Sequence, residues 1–359
     1  MHILKITSDE AVRLFIILII SKIFFWDITK LVVLSSTAAW IHILLSTLIA
    51  LVLFYIIKKS SGKTEVYDIF DTTEYAFSKV GLILFGIFLS VIQIMNFVIV
   101  LKAYCTTITT VTLTNSSNFF VLVFILSTLV VSGYLGIKSV TKLSSVSFFV
   151  IILFLALLIV FDIPNFEYDN IFPIFGSGID GFLQSYKNVG FFNELIFLFF
   201  LIPVLKNKND VWKIGTKSII ISSVIITSLT FVFTLIIPYP VNTRYYLPVF
   251  EITSSVNFFV IFQRAEAIYL LLWIFTCFLY TGATFCFLLY TIKRTFSLSD
   301  SKALIPALLM IVVTLLALFE NINAMDKVHD ILNYIFSIVL FGVITLIYGV
   351  SAFKRRKKG

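Results

Sequence analysis

The chain has 359 residues, of which 60% are hydrophobic and 13% charged, and its mean hydropathy is +1.06. Soluble domains are about 45–50% apolar and roughly 25% charged, because a globular surface has to be covered with polar side chains. The composition therefore excludes a disordered chain, a disulfide-stapled domain and a soluble enzyme, and leaves a polytopic helical membrane protein.

A membrane helix needs about 20 mostly apolar residues, and ten such runs follow one another. The first, 11–34, is interrupted by Lys22, Trp26 and Asp27. It does not read as a cleavable signal peptide: it has no small-residue cleavage site, carries Lys22 in its middle and precedes nine further runs. The second run is 39–57. The stretch 58–79 then places Glu65, Asp68, Asp71 and Glu74 three apart, which predicts the charged face of a short surface helix. Run three, 80–101, carries Gln93 and Asn96, three apart and so on one face. Runs four and five are 119–137 and 144–163. The loop 162–188 is acidic (Asp162, Glu167, Asp169, Asp180) and rich in turn formers. Run six, 189–205, follows Lys187 and Asn188, opens at Gly190, carries Asn193 and Glu194, and ends near Pro203. Run seven is 218–238. The loop 239–265 holds a mixed apolar stretch, Phe250 to Phe262, that predicts an amphipathic helix along the external interface. Runs eight to ten are 266–291, 303–319 and 331–352. The basic tail, Lys354 to Lys358, predicts an anchor on anionic lipid. A membrane barrel is excluded, because its strands would alternate polar and apolar residues.

Lys and Arg total 27 against 19 Asp and Glu, a net +8. With the N-terminus placed in the cytoplasm, only Lys22, Lys30, Lys102, Lys187, Arg244, Arg264 and Lys327 fall outside or within a span. This positive-inside bias predicts that both termini are cytoplasmic, as an even span count requires. The basic excess is thus membrane topology, and no nucleic-acid partner is expected. Ten runs divide into five and five, and an odd number per half inverts the second half. That is the arithmetic of LeuT-like inverted-repeat transporter folds. The expected fold is all-α, one integral membrane domain over 1–359, with repeats at about 11–163 and 189–352 and a tail at 353–359. Such folds break the first helix of each half near the midplane, and runs one and six are the two interrupted by polar residues.

Catalytic signatures are missing: no phosphate loop, no G-x-S-x-G elbow and no H-E-x-x-H occur. Cys105, Cys277 and Cys286 lie in or beside apolar runs and read as inert packing thiols. His2, His42 and His329 show no metal-ligand spacing. No enzyme activity, cofactor or metal is expected. Glu194 falls inside an apolar zone, where an ionised carboxylate costs about 2.5–3.5 kcal/mol or more unless paired. It reads either as a site residue that binds an ammonium group or carries a proton, or as a helix-end carboxylate wetted from outside. Lys22 is equally expensive. It either pairs with Glu194, since runs one and six are neighbours in this fold, engages a ligand carboxylate, or snorkels to the interface.

Several motifs, in order and spacing, carry a family resemblance. They are Tyr246-Leu247-Pro248-Val249-Phe250-Glu251, Phe258 to Phe262, Arg264-Ala265-Glu266 and Trp273, with Ile6-Thr7-Ser8 before run one. Gly136-Ile137-Lys138 to Lys142-Leu143, Phe172 to Gly178, Glu194 and Pro306 agree. Together they resemble the spore germination permeases, the B subunits of endospore germinant receptors, which are similar to amino acid–polyamine–organocation transporters. The resemblance covers about residues 6–352. It implies a ligand-sensing subunit in the spore inner membrane of an endospore-forming bacterium, working beside an A subunit and a lipoprotein C subunit. It also implies a small amino-acid-like germinant held between runs one, three, six and eight. The candidate set is Ser21, Lys22, Phe24, Gln93, Asn96, Asn193, Glu194, Thr276 and Tyr280. Two alternatives are a proton-coupled amino acid permease and a structural platform whose pocket is filled by Phe24, Phe25 and Trp26.

Overall fold

The computed structural model describes residues 5–22, 28–62, 67–112, 118–245, 247–255, 265–318 and 322–357. Among these, the backbone is helical almost throughout, and the one β feature is an isolated bridge. Six helices are long and apolar enough to cross a membrane, and three more are shorter apolar helices.

Run one gives α1 (Ser8–Lys22) and α2 (Ile28–Ser35), and residues 23–27 between them lie outside the described residues. Run two is α3 (Ala39–Ser61) and run three is α4 (Ile69–Thr107), extended by a π turn at Ile108–Thr112. Runs four and five are α5 (Asn118–Leu135) and α6 (Ile137–Asp162). After α7 (Gly178–Gln184), run six is mostly a 3-10 helix, Ser185–Phe197, followed by a single α turn, α8 (Leu198–Leu201). Such 3-10 runs rarely exceed 3–4 residues, and longer ones mark strain or a hinge. Run seven is α9 (Val211–Ile236), followed by α10 (Pro248–Ser255); run eight is α11 (Ala265–Thr295) and run nine α12 (Leu304–Leu318). Run ten is α13 (Ile322–Ser337), a π segment at Ile338–Val343 and α14 (Ile344–Arg356).

At the centre lies α1. It is apolar all round, and almost every side chain from Ala11 to Lys22 is buried. It packs on α6, α9, α11 and the 3-10 run. A helix apolar on every face has to be surrounded, and here protein rather than lipid surrounds it. Phe120, Val146 and Met310 on α5, α6 and α12 project outward instead, as lipid-facing residues do. Small residues let helices approach closely. A Cβ on Gly86 of α4 would fall 1.9 Å from Thr295 Oγ1 of α11, and one on Gly215 of α9 would fall 2.2 Å from the Phe54 ring of α3. Two backbone bonds tie the start of α1 to the far end of run six: Ile6 N donates to Val204 O at 2.9 Å and Lys206 N to Ile6 O at 2.8 Å.

One expectation is corrected. Of the acidic residues expected on a charged face, Glu65 lies outside the described residues, Asp71 and Glu74 are exposed, and Asp68 is not on a solvated face. Asp68 is 2% exposed. Its carboxylate accepts from Phe70 N as the cap of α4 and from Tyr290 Oη at 2.6 Å, and it lies 3.3 Å from Arg294 Nε. A cap precedes its helix, so helical spacing does not place it; a cation from α11 does. Of the stretch Phe250 to Phe262, the described part ends α10, which packs on α9 and α11 with Ile252 buried. Residues 256–264 lie outside the described residues.

Candidate functional site

Ser21 and Lys22, both buried, are the last described residues of α1. Asn193 and Glu194 come from the 3-10 run. Lys22 Nζ lies 2.5 Å from Glu194 Oε1, with the two side chains 10% and 3% exposed. Tyr280 of α11 donates its hydroxyl to the same oxygen at 3.3 Å. The second oxygen, Glu194 Oε2, is buried and has no hydrogen-bond partner among the described residues.

An aromatic wall stands beside the pair. Tyr104 of α4 meets Tyr280 edge-on at 6.2 Å and Trp273 at 6.5 Å. Ser21 lies within hydrogen-bonding reach of Tyr104, while its hydroxyl also donates to Leu18 O. The sequence pattern did not single out Tyr104, which lies past the end of run three, two residues after Lys102. Thr276 shares the face of Tyr280, but its hydroxyl donates to Trp273 O at 2.7 Å, on its own helix.

Asn193 turns away from the pair. Its Nδ2 donates to Asn333 O at 2.9 Å, and Ser337 Oγ donates to its Oδ1 at 2.8 Å. It fastens the 3-10 run to α13. That helix carries His329, Asn333 and Ser337 at intervals of four, one polar stripe. His329 is buried near both Lys22 and Lys30. Further out, Lys30 of α2 pairs with Asp330 at 2.9 Å, a half-exposed contact. The four-residue spacing was the available signal for this stripe.

Gln93 and Asn96 are not joined to the pair by any described contact. Gln93 lies 11 residues before Tyr104 on α4, about 16 Å along the axis at 1.5 Å per residue. Both of its amide atoms are buried without a partner among the described residues. Phe24, Phe25, Trp26 and Arg264 lie outside the described residues.

Two cavities among the described residues lie away from the pair: about 370 Å³ beside Thr37, Asp169 and Tyr239, and about 280 Å³ among Ser132, Leu135 and Phe278. Neither is lined by Lys22 or Glu194. The arrangement is a buried ion pair between α1 and the 3-10 run, with one carboxylate oxygen unpartnered among the described residues. Chemically it can exchange partners or take up a proton. It holds no nucleophile–base pair.

No curated protein matches the chain significantly. Among solved structures it is similar to Mhp1, a nucleobase-cation-symport-1 family transporter, in a closed conformation with bromovinylhydantoin bound. The TM-score is 0.66 at 12% identity, covering 95% of this chain and 77% of that one. At that identity the likeness shows the fold alone, that of a LeuT-like transporter. Residues 8–352 match the family described as spore germination protein. The protein is therefore an integral, multi-pass, permease-like membrane protein of the transporter or receptor type, and it belongs to the spore germination protein family.

Proposed function

We propose that the protein is the germinant-sensing membrane subunit of a spore germinant receptor. In this reading it binds a small amino-acid-like zwitterion between α1 and the 3-10 run. It works beside an A subunit and a lipoprotein C subunit in the spore inner membrane, and the whole chain acts as one domain. The observation that supports this is the Lys22–Glu194 pair. A zwitterion inserted there offers its carboxylate to Lys22 and its ammonium to Glu194, so one buried pair becomes two and the site stays neutral. An anion or a cation alone would leave a buried charge uncompensated, at a cost of several kcal/mol. The free Glu194 Oε2 supplies the extra acceptor an ammonium group needs. Splitting the pair separates α1 from the 3-10 run, and the ligand shifts that balance by its difference in affinity for the two packings.

The test uses purified protein in liposomes, with each common amino acid, reading thermal stabilisation and labelled uptake. Stabilisation without uptake, lost in Glu194→Gln, supports the sensor. Saturable, pH-dependent uptake would instead make the protein a proton-coupled permease, a reading supported by the transporter fold and by a Glu194 that can take a proton when Lys22 leaves. No response in either assay overturns both and leaves a platform for its partners.

A further inference from the structure

The first turns of α4 form a structure apart from the ion pair. Ser78 has φ 69° and ψ 178°, which splits α4 into a short segment, 69–77, and a long one. This φ is one that a residue other than glycine rarely adopts. The short segment seats at the basic end of the bundle and is held from three sides. Phe70, fully buried, meets Phe200 of α8 edge-on at 5.2 Å and Tyr290 of α11 at 5.7 Å. Asp68 receives Tyr290 and Arg294, and Arg294 also bonds Asp71. From α14, Lys354 Nζ donates to Ala76 O at 2.7 Å, Tyr348 Oη donates to Tyr67 O at 2.9 Å, and the Arg355 guanidinium lies over the Tyr67 ring. Phe200 touches Phe197 and Phe287, which continue the aromatic packing toward Glu194.

We propose that residues 69–77 are a plug for the cytoplasmic end of the bundle, hinged at Ser78 and pinned by Asp68. The reading of Lys22–Glu194 as a ligand site bears only on what the plug closes off; the motion is tested without ligand, so the two fail separately.

The pin makes the plug sensitive to pH. Burial pushes the Asp68 carboxyl up to about 7, outweighing the Tyr290 hydrogen bond and the Arg294 charge, which pull it down. The titratable and charged groups around it are Asp71 on its own element, Tyr290 and Arg294 on α11, and Tyr348 and Arg355 on α14. Unseated in water, the carboxyl returns toward 3.8. The state with the higher value binds the proton more tightly, so acid favours the seated plug and rising pH releases it. Between pH 6 and pH 8 the ratio of unseated to seated plug rises about tenfold.

The experiment places spin labels at Glu74→Cys and Lys142→Cys in the full chain in nanodiscs, with Cys105, Cys277 and Cys286 replaced by alanine. Distance distributions are read from pH 6 to pH 8. The expected result is a second distance whose share grows with pH. In Asp68→Asn the seated distance persists at every pH. In Tyr290→Phe, which removes a bond that favours the charged form, the transition moves to higher pH. Identical distributions across the range overturn the proposal. So does a pH response that survives in Asp68→Asn, or a transition that moves down in Tyr290→Phe.

Discussion

Lys22 and Glu194, each set in an interrupted apolar run, meet at 2.5 Å and neutralise one another inside the bundle. Neither would be tolerated alone at that depth, and together they hold the end of α1 against the 3-10 run. Removing one partner of a buried pair strands the other and typically costs about 3–5 kcal/mol, whereas replacing both with apolar residues is often close to neutral. Lys22→Met and Glu194→Leu should therefore each lower the unfolding free energy by about that amount, and the double variant should recover most of the loss. Thermal unfolding in detergent measures it. A double variant that loses the sum of the two singles would show that the contact contributes nothing.

Asn193 gives a second, separable expectation. Its two bonds to α13 are side-chain contacts of the 3-10 run, not of the ion pair. Asn193→Leu removes both bonds to α13, while Ser337 Oγ and the Asn333 carbonyl keep each other as partners at 2.9 Å, so the loss should be about 0.5–1.5 kcal/mol per bond. Hydrogen exchange should quicken over residues 190–197 while zwitterion binding survives. Binding lost with exchange unchanged would place Asn193 at the ligand instead.

The α4–α11 contact sets a packing limit. A methyl group on Gly86 meets Thr295, so Gly86→Ala should destabilise by about 1–3 kcal/mol through overpacking. Thr295→Ala, which removes the nearest atoms, should restore part of that loss in the double variant, as read by melting temperature. A neutral Gly86→Ala would mean the two helices can slide apart at no cost.

Asp68 predicts a pH profile for global stability. Its folded value of about 7 lies above the ordinary 3.8. The folded state therefore holds the proton more tightly than the unfolded chain does. The resulting stability is complete below about pH 3.8 and is lost as pH rises through 7, at roughly 1.4 kcal/mol per unit. Against the same titration, Asp68→Asn should flatten the slope between pH 5 and pH 7. A slope unchanged by that substitution would assign it to other groups.

The membrane spans were legible because hydrocarbon imposes a length and a composition that few other environments do. The partnership of Lys22 with Glu194 was one of three readings the sequence left open, because a charge in that setting needs an opposite one nearby or a way out to water. Tyr104, by contrast, lies just past the third apolar run, between Lys102 and a group of threonines, and an aromatic residue there looks the same whether it lines a site or fills a gap. Asp68 misled, since three-residue spacing describes a helix face and its position is set by Arg294 from another helix. The 3-10 geometry of Ser185–Phe197 was equally hidden, because local sequence shows that a helix is interrupted but not which hydrogen-bonding pattern replaces it.

The bridge between Ile6 and Leu205 has a mechanical consequence. Ile6, which leads into α1, makes its two backbone bonds to Val204 and Lys206, on either side of Leu205, so the segments bearing Lys22 and Glu194 are strapped together at one end and face each other at the other. Such a pair behaves as tweezers: the jaws can part while the base stays joined, and a twist applied to the first residues of the chain is delivered to both arms at once.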